Sequence, residues 1–95
     1  MWTVRRALVF ERRPWGSMFI LIHTNLFWVK ILHVKGRTSL QSHERRTEYH
    51  ISIMGVRRVH PKERHRIESG VYIEFAYGDP REEDVIRFED DYGRV

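Results

Sequence analysis

Short apolar runs, each closed by a turn residue, fill this chain. Ser17 to Ile22 reads as a strand, followed by a turn over His23, Thr24 and Asn25. Phe27 to Val34, FWVKILHV, resumes as a strand rich in β-branched and aromatic residues, and Gly36 ends it. Ser39 to His43 reads as a short strand, and the charged run Glu44 to Thr47 as a turn or bulge. Tyr49 to Met54 alternates apolar with polar and stops at Gly55. Val56 to Arg64 is basic, and Pro61 inside it resists a central strand. Arg66 to Glu68 and Val71 to Ala76 read as two strands meeting at Ser69-Gly70. Asp79-Pro80-Arg81-Glu82 carries a capping aspartate, a first-turn proline and an early acid, which together predict a short C-terminal helix. Short strands at close spacing predict an all-β fold, an antiparallel sandwich or barrel.

Length changes what that fold can rely on. A chain of 95 residues is expected to form one domain spanning 1–95. At this size it buries only roughly 60–65% of the surface its unfolded form exposes. The 41% hydrophobic and 13% aromatic content is that of a globular chain. There is no cysteine, so a metal or a homo-oligomer interface is the available staple. The lack of cysteine fits a cytoplasmic protein. The stretch MWTVRRALVFERR has no long apolar core followed by small residues, so no secretory signal is expected. The longest apolar run, Met18 to Ile22, is far too short to cross a bilayer.

Charge narrows the partners. Net charge is +4 and the pI about 9.9, which favours anions such as phosphorylated small molecules or nucleic acid. Arg57, Arg58, Lys62, Arg64 and Arg66 cluster around Pro61, as a phosphate grip or as a solvated loop. No aromatic residue other than histidine lies between Gly55 and Gly70. Nucleic-acid grooves interleave aromatics with basic residues, so a nucleic-acid partner is not expected.

The candidate chemistry sits in the middle third. Gln41-x-His43-x4-Glu48, with His65 further on, offers an amide oxygen, two imidazoles and a carboxylate, a set suited to a catalytic divalent metal. Gln41 and His43 are two apart and share a strand face; so do Glu48, His50 and Ser52. His43 and Glu48 are five apart, so they meet only if the chain turns or bulges between them. The polar stripe Glu48-His50-Ser52 has no place in an apolar core unless its groups find partners. Surface or hydrogen-bonded histidines are the plainer alternative. Trp15 and Trp28 read as core. Glu82-Glu83-Asp84 and Glu89-Asp90-Asp91 lack EF-hand spacing and read as solvated charges.

Several segments resemble one family in order. Arg13-Pro14-Trp15-Gly16-Ser17, Phe27-x-Val29-Lys30, Ser39-Leu40-Gln41-x-His43, Arg46-x-Glu48, His65-Arg66-Ile67-Glu68, Gly78-Asp79, Glu83-Asp84-Val85-Ile86-Arg87-Phe88-Glu89-Asp90 and Tyr92-Gly93-Arg94 resemble the cupin domain of type II phosphomannose isomerases. The resemblance implies a small double-stranded β-helix, or jelly-roll barrel, with a metal in its mouth. It implies interconversion of mannose 6-phosphate and fructose 6-phosphate with a divalent metal (zinc, with manganese, cobalt or nickel as alternatives). By the same resemblance the metal ligands are Gln41, His43, Glu48 and His65, and Arg94 is the catalytic arginine. Lys30 and Ser39 line the substrate side, and Arg45 and Arg64 complete the expected substrate-binding set. His50 is a base or a substitute ligand.

The departures are specific. Arg45 stands where the family has a second histidine, and Tyr49-His50 follow Glu48 in place of His-Trp. The stretch from Gly55 to His65 is shorter than the family's. A non-catalytic cupin that binds a phosphorylated sugar or nucleotide is therefore the alternative reading, and a purely structural domain a third. A homodimer is expected, with a strand such as Phe27 to Val34 pairing across a two-fold axis.

Overall fold

The alternating pattern resolves into two antiparallel sheets. The computed structural model describes residues 2–94. Eight strands follow one another: β1 (Val4–Arg13), β2 (Gly16–Thr24), β3 (Phe27–Val34), β4 (Leu40–Ser42), β5 (Arg46–Ser52), β6 (Gly55–Val59), β7 (Gly70–Gly78) and β8 (Ile86–Glu89). One sheet has the order β1-β2-β3-β7-β5-β6, and β4 pairs with β8 in the other. All pairings are antiparallel. No described residue is helical, so no helix there is long and apolar enough to cross a membrane.

The pleat sends alternate side chains to opposite faces. On β3 Trp28, Lys30, Leu32 and Val34 are buried while Ile31 and His33 are exposed. On β5 the inward set is Arg46, Glu48 and His50, and on β7 it includes Glu74 and Ala76. The interior therefore has two ends of different chemistry. Trp15, Met18, Ile20, Leu32, Val34 and Ile67 pack as an apolar cluster at one end. Burying one such large side chain stabilises by about 1.5–3 kcal/mol. At the other end Trp28, Lys30, Arg46, Glu48, His50 and Glu74 are all buried, and their polar atoms must pair with one another.

Four expectations need correction. The residues after Pro80 form turns, not a helix, with Asp84 N donating to Arg81 O at 3.1 Å. The Asp79 carboxylate accepts from Arg81 Nε at 2.9 Å, so it is used by a side chain rather than as a cap. Arg66–Glu68 is not a strand. Ile67 is tied to Thr38 instead, once through the backbone and once through the Thr38 hydroxyl: Thr38 N donates to Ile67 O, and Ile67 N to Thr38 Oγ1, both at 2.9 Å. β3 is interior, with β2 on one side and β7 on the other, so Phe27 to Val34 has no free edge for a two-fold partner. Residues 4–13, for which the sequence reading offered no strand, form β1, and β6 adds a second edge just before Pro61.

Candidate metal centre

The turn between His43 and Glu48 is present as a bend over Glu44 and Arg45. The Asp84 carboxylate pins it, accepting from Glu44 N and Arg45 N at 3.0 Å each. Gln41 lies on β4, Glu48 on β5, and His65 bridges Gln41 in both directions: Gln41 N to His65 O at 2.9 Å and His65 N to Gln41 O at 2.8 Å. His43, just after β4, and His65, bridged to Gln41 of β4, thus reach Glu48 on the inner face of the large sheet.

Three ligand atoms converge there. His43 Nε2 lies 3.5 Å from Glu48 Oε2, and His65 Nε2 lies 3.4 Å from Glu48 Oε1. One ligand atom from each of the three lies within 4.8 Å of the others. His43 Nδ1 bonds Asp84 O at 2.7 Å and His65 Nδ1 bonds Glu63 O at 3.3 Å. With each Nδ1 donating its proton, both Nε2 lone pairs are turned inward. His65 Nε2 is buried and has no hydrogen-bond partner. An inward-facing lone pair without a donor, beside a second imidazole and a carboxylate, fits a divalent cation. Gln41 stands beside them: its Nε2 is 3.2 Å from His43 Nε2, and its Oε1 accepts from Ser39 Oγ at 2.5 Å. Rotating that amide by half a turn would present the oxygen to the cluster.

Arg46 adds a cation beside the same atoms. Its Nε donates to Glu48 Oε2 at 2.6 Å and its Nη2 is 3.1 Å from His43 Nε2. Its Nη1 donates to Arg81 O at 2.7 Å, and its guanidinium lies 4.3 Å from the Trp28 ring centroid. Sequence reading missed this role, although an arginine in register with Glu48 on an inward strand face was its signal.

A second group shares Glu48. His50 Nε2 lies 3.1 Å from both Glu48 Oε1 and Glu74 Oε1, and Trp28 Nε1 donates to Glu74 Oε2 at 3.0 Å. Burial favours the neutral imidazole, but bonds to two carboxylates overcome it and push His50 up to about 9. Burial alone would also raise Glu48. The bond with His50 and the His65 imidazole beside it, then the charges of Arg46 and His43, hold it well below the ordinary carboxylate range. Burial and the charge of Glu48 push Glu74 up, but His50 and Lys30 bring it below its ordinary value. His43 is lowered, chiefly by burial. Glu74 was also missed; a lone acid inside the apolar alternation VYIEFAY was the signal.

A cavity of about 320 Å³ opens beside these groups, lined in part by Gln41, His43, Arg46, Glu74, Lys30 and Arg94. That volume suits a small ligand. Arg94 is held by Asp90, whose oxygens accept from Nε at 2.8 Å and Nη2 at 3.0 Å. Ser39 is buried behind Gln41 and acts on it. Arg45 turns outward toward Asp79 at 3.6 Å, and Arg64 stacks on Phe88 at 3.8 Å; neither forms part of the cavity wall.

Comparison with known proteins agrees with this geometry. The sequence profile of the mannose-6-phosphate isomerase C-terminal family matches residues 5–77. The match takes in β1 through most of β7 and leaves the Glu83–Arg94 motif outside it. Curated proteins and solved structures gave no significant match. An all-β antiparallel chain with a buried His/Glu group, matched over most of its length, belongs to the mannose-6-phosphate isomerase C-terminal family of cupin-type domains.

Proposed function

We propose that this chain is an aldose–ketose isomerase acting on a sugar phosphate of the mannose 6-phosphate and fructose 6-phosphate type. The carrying observation is the convergence of His43, Glu48 and His65 beside a ligand-sized cavity. His43, Glu48 and His65 would hold the metal, with the Gln41 amide as a fourth donor. A divalent cation there supplies Lewis acidity toward the substrate's carbonyl and neighbouring hydroxyl oxygens.

Glu74 is the group placed to move the carbon-bound proton. It lines the cavity and lies outside the ligand set. Trp28 and His50 each occupy one of its oxygens, which fixes its orientation and leaves each oxygen a free lone pair. His50, at about 9, carries its proton at neutral pH. It therefore serves as the cation between Glu48 and Glu74 rather than as the base. Arg94 on the cavity wall, fixed by Asp90, offers a guanidinium to negative charge on the ligand.

A coupled assay for fructose 6-phosphate from mannose 6-phosphate, with zinc, manganese, cobalt or nickel added, tests this. Glu74→Gln should lower turnover by about 100-fold or more while metal content stays the same. Wild-type turnover no higher than that of Glu48→Ala would end the isomerase reading.

Arg46 favours a second reading. Its guanidinium already contacts Glu48 and His43, as a resident cation in a metal-free binder of phosphorylated sugars would. Elemental analysis of the purified protein separates the two. One divalent metal per chain supports the enzyme; no metal, and no change in melting with a chelator, supports the binder.

A further inference from the structure

Glu82 lies on the turn between β7 and β8, and three cations converge on its carboxylate. Oε1 is 2.8 Å from Lys30 Nζ and 2.7 Å from Arg6 Nη2, and Oε2 is 3.9 Å from Arg13 Nη2. Burial alone would raise its pKa, but Lys30, then Arg6 and Arg13, hold it below the usual carboxylate value. Lys30 comes from the middle of β3 and is only 3% exposed. Its ammonium sits 3.6 Å from the Trp28 ring centroid, and its ion-pair partner is Glu82. A buried ammonium without an anion is costly, so this position demands negative charge from some source.

The place is right for a ligand's anionic end. Lys30, Arg13 and Glu82 line the same cavity as Gln41, His43 and Glu74. Trp28 lies beneath both Lys30 and Arg46, and Arg46 contacts His43 and Glu48. The cation cluster and the candidate metal ligands therefore share one aromatic wall. Arg6 and Arg13 are also tied to Glu11, by an Arg6–Glu11 ion pair and by Arg13 Nη2 to Glu11 Oε2 at 2.9 Å. Those ties keep both guanidinium heads in place when Glu82 leaves. Glu82 itself can leave, since it sits in a turn and its side chain is 30% exposed. A phosphate near neutral pH carries more charge and more acceptor oxygens than one carboxylate, so it competes well for guanidinium forks.

We infer that Lys30 and Arg13 on the cavity wall, with Arg6 reaching the same point through the Glu82 carboxylate, form a phosphate subsite, and that Glu82 fills it until a phosphorylated ligand displaces it. The inference rests on the reading that the cavity takes a phosphorylated ligand, and needs neither catalysis nor a metal.

Calorimetric titration of the full chain with inorganic phosphate, and separately with mannose 6-phosphate, tests it. Glu82→Gln should tighten phosphate binding about tenfold, and adding Arg6→Gln should reverse that gain. Glu83→Gln removes the same charge one residue along and should leave affinity within about twofold. Equal tightening by Glu82→Gln and Glu83→Gln would show general electrostatics and overturn the subsite. No tightening by Glu82→Gln, in a variant whose circular dichroism matches wild type, would overturn it too. If phosphate binding behaves as expected but mannose 6-phosphate is not turned over, the isomerase reading fails and the subsite stands.

Discussion

Arg46 Nε donates to Glu48 Oε2 at 2.6 Å, between two residues that share the inward face of β5. That bond fixes half of a carboxylate whose other oxygen faces His50 and His65. Glu48 is thus the common anion of three histidines and one arginine, all of them buried.

Glu48→Gln keeps the shape and removes that anion. Arg46 is left as a buried cation without its carboxylate, and His50 keeps only Glu74. The loss should be about 3–5 kcal/mol of stability, the usual cost of breaking one partner from a buried pair. Added zinc should raise the melting temperature of wild type and leave that of Glu48→Gln unchanged. Thermal melts with zinc and with chelator measure both effects; an equal zinc-induced rise in the two proteins counts against Glu48 as a ligand.

Thr38 holds the His65 segment from behind. It is buried, and its Oγ1 accepts from Ile67 N while its own N donates to Ile67 O. Thr38→Val keeps the volume but strands the Ile67 N–H, which costs about 1–3 kcal/mol. Chemical denaturation measures that cost. Zinc affinity should weaken as well, because His65 loses its support two residues away; unchanged affinity would mean His65 is positioned by its Gln41 bridge alone.

Much of this site was legible because strands announce themselves locally. Alternation in FWVKILHV placed β3, and that in Tyr49–Met54 found the second half of β5, which begins earlier, at Arg46 inside the expected turn, and ends at Ser52; the same period put Glu48, His50 and Ser52 on one face. The odd spacing of His43 and Glu48 required a bend, and one lies at Glu44-Arg45. What stayed hidden depends on distant partners. β1, VRRALVFERR, is broken up by charged residues, so it reads poorly as a strand; its pairing with β2 settles it. Pro80 and Glu82 carry helix-start chemistry, yet Glu82 is drawn to Lys30, 52 positions earlier in the chain. Arg46 and Glu74 acquire roles only once β5 lies beside β7, which pairs His50 with Glu74 across the sheet.

Gly16 is where the chain turns into β2, with φ at +155°, and a Cβ there would lie 2.0 Å from His33 O. That neighbour is backbone of β3, so it has nowhere to go. Lys35 N and Gly36 N both donate to Trp15 O beside it, at 2.8 and 3.2 Å. Gly16→Ala should therefore separate the β2–β3 end and open the apolar cluster around Trp15. Loss of a cooperative thermal transition, or a melting temperature lower by about 10 °C or more, is the expected result. A near-native melt would mean this corner can shift without loosening the core.

Asp90 gives the chain a specific acid response. Bonds from the Arg94 guanidinium and from Arg94 N depress its pKa to about 2. The native state therefore favours the ionised carboxylate more than the unfolded chain does. Its contribution to stability is complete above the ordinary aspartate value of about 4. It fades as pH falls from there through about 2. Wild type should exceed Asp90→Asn in stability at pH 6, and the gap should close between pH 4 and 2. Denaturation series at those values test it; a gap constant down to pH 2 would mean the Arg94 clamp is not native in solution.

We propose that the expected homodimer forms through a sheet face rather than an edge. β1 and β6 are the edges of the large sheet, and β6 carries Arg57 and Arg58, charges that discourage edge pairing. On the outer face one apolar rung crosses all six strands. Phe10 opposes Phe19, Phe19 opposes Ile31, Ile31 opposes Ile73, Ile73 opposes Ile51, and Ile51 opposes Val56. Five of the six are exposed, Phe19 being the half-buried one. The rung is about 24 Å wide at ordinary strand spacing. Tyr49, Phe75 and Tyr77 stand beside it, with ring centroids 6.1–6.4 Å apart. A second copy packed face to face would cover this patch, and a stable pair needs about 800 Å² per partner. Light scattering should return twice the 11.6 kDa chain mass for wild type and a single mass for Ile73→Lys. Ile73 is 45% exposed, so the lysine should leave the fold intact and act on association alone. Wild type at the single-chain mass at about 100 μM would mean that the apolar rung stays open to solvent or meets a different partner.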